Sequence, residues 1–366
     1  MGTKARVVVL PQETSVLRVE DVTLADPGPR EVLVKQYASG VCHSQLHQMH
    51  ARRNSPVILG HESTGVVLKV GSEVNHVAEG DMVLVTWVPR NAAEATTTPG
   101  RATLQVSDGL AIAGEKVFTW ADHTLVDEQF VVKVANDTSH DVTSIIGCAV
   151  MTGAGAVINT ANVQPGQSVA VFGVGGVGLS AIVGAKMAGA NPIIAIDLDD
   201  TKLEFAKQFG ATHTINASDQ DPVAAVHALT PHEDGITFLD QPITGADFTF
   251  DCIGLKQTMG QIVPAARNGR FGACDGGTGV LVGVPTEPAE LNSSDVLLNE
   301  KHFIGTLGGS CVPDRDFETF LHWHKTGELN LEAMITARYT IDQINEATTA
   351  LENGEISGRA ILEFDH

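Results

Sequence analysis

The sequence predicts an α/β protein of two domains, one rich in β-strands and one built on a doubly wound parallel sheet. Its 366 residues exceed what a single hydrophobic core usually supports. Short strand-like runs separated by turn signals fill roughly the first 150 residues. From Ser168 onward, strand-like and helix-like segments alternate, which is typical of a parallel sheet covered by helices on both faces.

Three strands are predicted in the β-rich part, and a regular alternation follows it. The early strands are Arg6–Leu10, Glu31–Tyr37 and Gly65–Val70, with turn signals such as Asp26-Pro27-Gly28-Pro29 between them. Later come strands Ser168–Gly173, Pro192–Asp197, Ala246–Cys252, Val280–Val284 and His302–Leu307, with helices ending near Ala188 and covering Thr201–Phe209.

The C-terminal part returns to mixed structure. Helices are predicted over Asp316–Lys325 and Thr340–Asn353, and a closing strand over Ala360–Phe364. Thr340 and Gln343 form a capping-box pair at the start of the second helix. We assign this tail to the first domain, which then comprises residues 1–150 and 307–366 around an inserted second domain, 151–306.

Composition excludes several classes of partner. Hydrophobic residues make up 43% and charged residues 18%, as in an ordinary globular protein. The formal charge of −21 opposes binding to nucleic acid phosphates. The apolar N-terminal run is too short for a signal peptide, and no segment reads as membrane-spanning. Five scattered cysteines without a disulfide spacing favour a reducing cytoplasm.

A glycine-rich segment follows the first strand of the predicted parallel sheet. It matches G-x-G-x-x-G and opens a helix, which is the context that a dinucleotide-binding loop requires. The first glycine permits the tight turn, the second the approach of the pyrophosphate, and the third close packing of helix and sheet. The helix N-terminus then faces the phosphates. We therefore predict a cofactor loop of Gly173, Val174, Gly175, Gly176, Val177 and Gly178.

Two residues downstream bear on the choice of cofactor. Asp197 ends the next strand, where a carboxylate would accept hydrogen bonds from the adenosine ribose and repel a 2′-phosphate, so NAD is favoured over NADP. Asp197 could instead cap the helix that starts at 199–201. Lys202 could reach the same ribose, and a solvated helix lysine is an equal alternative.

Cys42, His61 and Cys148 lie in three legible motifs, GVCHSQLH, GHESTGVVLKVG and GCAVMTG. Two thiolates and an imidazole fit a tetrahedral zinc whose fourth position stays open for water or substrate. Taken singly, either cysteine is more often a small buried hydrophobe, and a lone His-Glu pair is commonly structural. Jointly the three residues are hard to explain by packing.

These motifs together carry a resemblance to a known family. The pattern G-H-E-x2-G-x5-G-x2-V is complete from Gly60 to Val74, and it occurs with the dinucleotide loop, Gly147-Cys148 and the terminal Arg359-Ala360-Ile361-Leu362. The chain resembles the zinc-dependent alcohol dehydrogenases of the medium-chain dehydrogenase/reductase superfamily over nearly its whole length. The resemblance implies a GroES-like catalytic domain, a Rossmann domain, catalytic zinc on Cys42, His61 and Cys148, and NAD.

The resemblance also implies roles on the segment after Cys42. Ser44 matches the hydroxyl residue that hydrogen-bonds the alcohol, and His47 matches the histidine that passes the proton to solvent. His43 lies where the family places a cation near the pyrophosphate. Without the resemblance, Ser44 could cap a turn and the histidines could form an exposed helix face. A second metal site on His43 and His47 would need a partner carboxylate, and none is evident.

Four further residues match family positions. Thr152 matches a residue near the nicotinamide, and Arg359 matches an arginine that reaches the pyrophosphate. Glu62 matches a carboxylate behind the zinc that is sometimes an alternate ligand. Trp87 falls at a wall of the substrate pocket. Arg359 could instead be a surface arginine, and Trp87 plain core.

The chain departs from the family at two places. Many relatives carry four cysteines for a structural zinc after the strand that ends at Trp87, but the segment of residues 88–116 contains no cysteine. We therefore expect one zinc per subunit and a loosely ordered loop that could gate the pocket or meet a partner subunit. Gln45 stands where relatives commonly have an aspartate that bonds the zinc-ligand histidine. A neutral amide would leave the zinc slightly more electrophilic, and Gln45→Asp would then shift the pH dependence of turnover.

The resemblance implies reversible hydride transfer between a small alcohol, or its aldehyde or ketone, and NAD. The alternatives are a zinc-free quinone or enone reductase of the same superfamily, a formaldehyde dehydrogenase acting on a thiol adduct, and a non-catalytic dinucleotide-binding protein. Family members are typically dimers or tetramers, so a homo-oligomer is expected.

Overall fold

The computed structural model describes residues 2–365, and the side chains of all of these except residues 233 and 234. Contacts divide the chain into two compact units, one of Met1–Ala149 with Val312–His366 and one of Val150–Cys311. The first unit holds two mainly antiparallel sheets, and the second holds a parallel sheet. The predicted fold class, a β-rich part with a doubly wound parallel sheet, is confirmed.

The strands, numbered along the described residues, are β1 Thr3–Leu10, β2 Arg18–Leu24, β3 Glu31–Val41, β4 Val57–Ile58, β5 Glu62–Val70, β6 Met82–Thr86, β7 Thr103–Val106, β8 Gly109–Ala113, β9 His123–Asp127, β10 Val131–Lys133, β11 Val169–Phe172, β12 Ile193–Asp197, β13 His213–Asn216, β14 Pro231–Ile236, β15 Pro242–Thr244, β16 Phe248–Asp251, β17 Thr278–Leu281, β18 His302–Gly305, β19 Ile335–Thr340 and β20 Arg359–Glu363. The α-helices are α1 His43–His50, α2 Met151–Gly155, α3 Gly176–Met187, α4 Asp200–Lys207, α5 Pro222–Leu229, α6 Lys256–Ala265, α7 Ser293–Leu298, α8 Pro313–Thr326, α9 Leu331–Met334 and α10 Ile344–Glu352.

The larger sheet of the first unit sets the ends of three strands side by side. Its order is β10-β6-β5-β3-β20-β19, and β9 also pairs with β3. β3 and β5 are antiparallel with Ser39 opposite Ser63, so the end of β3 lies beside the start of β5. β20 is antiparallel to β3, with Ala360 opposite Val41. The residues just after β3, just before β5 and at the start of β20 therefore meet at one edge.

The second half of the cysteine-free segment after Trp87 forms a β-hairpin, which the expectation of a loose loop did not include. β7 and β8 are antiparallel and join the smaller sheet, whose order is β2-β1-β4-β8-β7. Alternate residues of the hairpin are buried in the core of that sheet, as the period of two in a half-buried strand requires. The residues before it, 88–101, form turns and bends and are mostly exposed, so only the hairpin contributes to the core.

The parallel sheet of the second unit has the order β13-β12-β11-β16-β17-β18. This is the order of a doubly wound sheet, in which β12 and β13 are added on one side of β11, and β16, β17 and β18 on the other. The loop after β11 therefore lies at the switch point where such folds bind ligands. β14 and β15 form a separate two-stranded ribbon that the sequence patterns did not predict. In the first unit, the capping box of Thr340 and Gln343 is present before α10, as predicted.

One long helical segment, Val142–Thr160, combines α2 with irregular turns on either side. Within the described residues it is the one helix whose length and composition would suit a membrane span, but 83% of its apolar window is buried inside the protein. Its apolar surface is therefore taken up by core packing. The turn of this segment that holds Cys148, Ile146–Val150, is a π-helix, a deviation often found at functional sites.

Leu104 and Leu110 test whether the hairpin is a fixed part of the sheet. Leu104 is buried in the core, whereas Leu110, on the same hairpin, is 53% exposed. We expect Leu104→Ala to lower the free energy of unfolding by about 2–4 kcal/mol, because it leaves a cavity. Leu110→Ala should stay within about 0.5 kcal/mol of the parent. Equal, small effects in urea unfolding would contradict an ordered hairpin.

Candidate metal and cofactor sites

Four possible metal ligands converge in the first unit. The ligand atoms of Cys42, His61, Glu62 and Cys148 all lie within 4.8 Å of one another, and all four side chains are buried. This is the one such group found among the described residues. Two soft sulfur atoms, an imidazole and a carboxylate form the donor set of a zinc site.

Glycines let the backbone approach closely enough to assemble this group. Gly60, just before His61, has φ +90°, and a Cβ there would lie 2.4 Å from the backbone nitrogen of Trp120. At Gly147, just before Cys148, a Cβ would lie 2.7 Å from the carbonyl oxygen of Val85. Any other residue at these two positions would force backbone beside His61 or Cys148 to shift, because the obstructing atoms are backbone. The GHE and GC motifs therefore have a steric basis.

His61 presents a free nitrogen to the ligand group. Its Nε2 is buried without a hydrogen-bond partner among the described residues. Leaving a polar atom buried and unpaired costs about 1–3 kcal/mol. A zinc ion held by this nitrogen and the two sulfurs would remove that cost, so the residues present fit the metal.

The other ring nitrogen of His61 contacts two side chains. Nδ1 lies against the Nε2 amide nitrogen of Gln45, as the spacing of Gln45 suggested, and against a carboxylate oxygen of Glu115. Burial lowers the pKa of His61, but the charge of Glu115 and the neighbouring Cys42 outweigh it and raise that pKa to about 9. His61 therefore has a carboxylate contact in addition to the neutral amide of Gln45, and a more electrophilic zinc stays a prediction.

Glu115 is the site residue that sequence reasoning missed. It lies in the cysteine-free segment, immediately after the β7–β8 hairpin, and 54 positions separate it from His61. A single glutamate after a glycine matches no sequence motif that would indicate a functional residue. Only the pairing of β8 with β4, which ends just before Gly60, brings it to the histidine.

Cys42 and Cys148 have pKa values that are shifted in opposite directions. A hydrogen bond from Cys148 and the charge of Arg359 hold the pKa of Cys42 well below its usual range, against the effect of burial. Donating that hydrogen bond, together with burial, raises the pKa of Cys148 well above its usual value. Because zinc binds thiolates, metal binding would release the proton that the pair holds.

Glu62 and Arg359 form a buried ion pair beside the ligands. The guanidinium of Arg359 contacts Oε1 of Glu62, and the backbone N–H of Ala149 donates to Oε2 at 3.3 Å. Glu62 is thus within the ligand group but neutralised by an arginine. Arg359 is buried rather than a surface arginine, and its contact with a cofactor pyrophosphate stays a prediction.

Helix α1 carries the predicted relay residues directly after Cys42. Ser44 is half-buried, and its hydroxyl oxygen is enclosed without a hydrogen-bond partner among the described residues. His43 and His47 are exposed on the face where residues four apart meet. The structure therefore places a hydroxyl without a hydrogen-bond partner among the described residues two positions from Cys42, and an exposed imidazole about one turn further.

Trp87 and Thr152 lie on different units. Trp87 is half-buried, and its ring stands edge-on to His61 with the ring centroids 6.3 Å apart. Trp87 also packs against the hydrophobic core cluster that includes Val83, Val85 and Phe130, so it contacts both the core and His61. Thr152 begins the second unit, on α2, and its buried hydroxyl has no hydrogen-bond partner among the described residues. Roles in substrate or nicotinamide contact stay predictions for both.

The glycine-rich loop has the form that its motif predicts. Gly173 has φ +85°, and a Cβ on Gly178 would lie 1.9 Å from the carbonyl oxygen of Gly173. At Gly175 a Cβ would meet nothing within 4 Å. Helix α3 begins immediately afterwards, with its N-terminus toward that open space. This loop fits a dinucleotide pyrophosphate, because its middle glycine leaves room for a ligand rather than for the protein.

Asp197 braces that loop. Its Oδ2 accepts a hydrogen bond from the backbone N–H of Val174 at 2.9 Å. The N-cap of α4 is Asp199, which accepts from Thr201 N–H at 2.7 Å, so Asp197 is not the helix cap. Lys202 lies half-buried in the first turn of α4.

Comparison with known proteins agrees with this geometry. A family model described as "Zinc-binding dehydrogenase" matches residues 176–326, and one described as "Alcohol dehydrogenase GroES-like domain" matches residues 28–136. An alcohol dehydrogenase class-3 from Cereibacter sphaeroides is 32% identical, with the whole of both chains covered. The chain belongs to the zinc-containing alcohol dehydrogenase family.

Other relatives give the same result. An S-(hydroxymethyl)glutathione dehydrogenase from Paracoccus denitrificans is 32% identical over 99% of this chain and 100% of its own. The crystal structure of benzyl alcohol dehydrogenase from Acinetobacter calcoaceticus has a TM-score of 0.85 and 29% identity, covering 99% and 100% of the two chains. The protein is thus an oxidoreductase acting on a CH–OH group, with a GroES-like domain and a Rossmann domain. A zinc-free reductase does not account for its Cys/His/Cys set.

Gly175 and Gly178 separate cofactor binding from folding. Gly175→Ala should leave the melting temperature unchanged, since its backbone has φ −70° and its Cβ meets no protein atom. It should weaken NAD binding at least tenfold by blocking the pyrophosphate. Gly178→Ala should lower both the melting temperature and the affinity for NAD, because its Cβ collides with backbone. Calorimetric NAD titration and thermal unfolding measure the two effects. Unchanged affinity in Gly175→Ala would exclude this loop as the pyrophosphate site.

Proposed function

We propose that the protein is an NAD-dependent alcohol dehydrogenase with one zinc per subunit, held by Cys42, His61 and Cys148. The observation that carries the proposal is the buried convergence of these ligand atoms, with His61 Nε2 unpaired. The segment where relatives hold a second zinc has no cysteine and is instead a β-hairpin. Glu62 is proposed to stay paired with Arg359 behind the metal, or to serve as an alternate ligand.

The residues on α1 would handle the proton. When bound, zinc would supply Lewis-acid polarisation of the substrate oxygen and NAD would accept the hydride. Ser44 would accept the hydroxyl proton of the alcohol while giving up its own hydroxyl proton, a relay for which its enclosed oxygen, without a hydrogen-bond partner among the described residues, is suited. His47, exposed one turn further along, would release that proton to water. Trp87 would form a wall of the substrate site beside His61.

The Rossmann unit would hold the cofactor. The pyrophosphate would lie on the loop Gly173–Gly178, with His43 and Arg359 as its cationic partners. Asp197 would accept hydrogen bonds from the adenosine ribose and reject a 2′-phosphate, with Lys202 reaching the same ribose. Thr152 would pack near the nicotinamide. We further propose a cytoplasmic homo-oligomer, a dimer or a tetramer.

Substitution of the ligands tests the metal site. Cys42→Ser or His61→Ala should lose both zinc and activity, because each removes one of three protein ligands. NAD affinity should persist, since the dinucleotide loop is elsewhere. Cys274→Ser is the matched control, as Cys274 is an exposed thiol outside the ligand group, and it should keep zinc and activity. Activity retained in the metal-free protein would refute the zinc proposal.

A substrate panel decides between an alcohol and a thiol adduct. The relatives named S-(hydroxymethyl)glutathione dehydrogenase favour the adduct, whereas the benzyl alcohol dehydrogenase structure favours a free alcohol. We expect oxidation of primary, secondary or aromatic alcohols without added thiol, and a higher kcat/KM with NAD than with NADP. Activity confined to formaldehyde plus glutathione would replace the alcohol with the adduct. A preference for NADP would contradict the role given to Asp197.

A further inference from the structure

We propose that Glu115 is the positioning carboxylate of the zinc-ligand histidine, doing from the β7–β8 hairpin what an acidic residue at position 45 would do. The proposal rests on the zinc site of the proposed function and adds to it a residue outside the motifs that predict that site. Glu115 would not touch substrate or metal. It would act through His61, by fixing the position of its ring and the nitrogen that bears the proton.

The hydrogen bonds of Gln45 fix the orientation of its side-chain amide. Its Oε1 accepts a hydrogen bond from the backbone N–H of Cys42 at 3.0 Å. A backbone N–H can only donate, so the oxygen must face Cys42 and the amide NH₂ must face the other way. That NH₂ group lies against Nδ1 of His61. Gln45 therefore offers the histidine a donor rather than an acceptor.

A histidine that binds zinc through Nε2 carries its proton on Nδ1. This N–H needs an acceptor, which in metal sites is commonly a carboxylate or a carbonyl that orients the ring and raises its basicity. Gln45, held as it is, would place two donors face to face. Oε2 of Glu115 lies against Nδ1 and has no hydrogen-bond partner among the described residues, so this carboxylate is the acceptor available to the Nδ1 proton. Between Gln45 and Glu115, only the latter can satisfy the zinc-bound form.

The backbone around Glu115 is held in place. Gly114 N–H donates to the carbonyl of Ile58 at 3.1 Å, and Ala102 N–H donates to the carbonyl of Lys116 at 2.8 Å. Arg101 donates to the carbonyl of Gly114 at 2.9 Å. A Cβ on Gly114 would lie 1.9 Å from Oε1 of Gln48, so the turn fits closely against α1. The backbone that carries the Glu115 side chain is therefore fixed by hydrogen bonds and by packing against α1.

The hairpin gains a function from this arrangement. Its strands pack in the core of the smaller sheet, and the turn that follows reaches the zinc ligands. The cysteine-free segment would therefore support the catalytic metal indirectly, through His61. A carboxylate at position 45 becomes unnecessary, which accounts for the neutral glutamine there.

Moving the carboxylate tests the proposal. Glu115→Gln should weaken zinc binding about 10- to 100-fold, as losses of such partners usually do. Gln45→Asp alone should change zinc affinity by less than about threefold, since His61 already has its carboxylate. The double variant with Glu115→Gln and Gln45→Asp should recover most of the lost affinity. Glu94→Gln, at an exposed glutamate of the same segment, is the control and should have no effect.

The measurements are zinc affinity by chelator competition on the full-length protein and the ¹⁵N shifts of the His61 ring in the zinc-loaded protein. Glu115→Gln should move the Nδ1–H resonance, and the double variant should restore a carboxylate-bonded N–H. Parental affinity and shifts in Glu115→Gln would overturn the proposal. So would a loss that Gln45→Asp fails to restore, because that outcome marks a purely structural role. If the parent protein binds no zinc, the proposed function itself fails. That result is distinguishable from the two outcomes above, because in each of those the parent protein binds zinc.

Discussion

The antiparallel pairing of β3 with β5 is the constraint on which the functional site depends. Cys42 follows one strand and His61 precedes the other, and the register with Ser39 opposite Ser63 sets them at the same edge. A shift of one residue would turn these ends to opposite faces of the sheet. Gly147 then lets the third element, with Cys148, approach Val85 and Glu62 closely. The metal site is therefore a property of strand register as much as of its ligands.

Charge balance in this buried edge explains the neighbours of the ligands. Burial disfavours every charged form unless an opposite charge is close. Glu62 is paired with Arg359, and His61 contacts Glu115, so each buried charge has a partner. A hydrogen bond from Cys148 and the charge of Arg359 favour the thiolate of Cys42. The candidate ligand group is thus surrounded by paired charges.

The sequence predicted what local patterns encode. The dinucleotide loop and the GHE motif require glycines at fixed offsets, because backbone must pass close to backbone, and such requirements are legible without coordinates. The family membership that those motifs indicated is confirmed. Predictions failed where the structure depends on pairing between strands that lie far apart in the sequence. Glu115 and the ordered hairpin depend on β8 joining β4, and the β14–β15 ribbon lies in a stretch with no clear period. A pairing between strands that lie far apart in the sequence produces no motif of fixed spacing from which it could be predicted.

Zinc K-edge X-ray absorption on the metal-loaded protein counts the atoms bound to the metal and so identifies its ligands. We expect two sulfur atoms at about 2.3 Å and one nitrogen at about 2.0–2.1 Å, with one further light atom from water or substrate. A stoichiometry of one zinc per subunit should accompany that spectrum. A shell of four sulfur atoms, or one without sulfur, would contradict a zinc held by Cys42, His61 and Cys148.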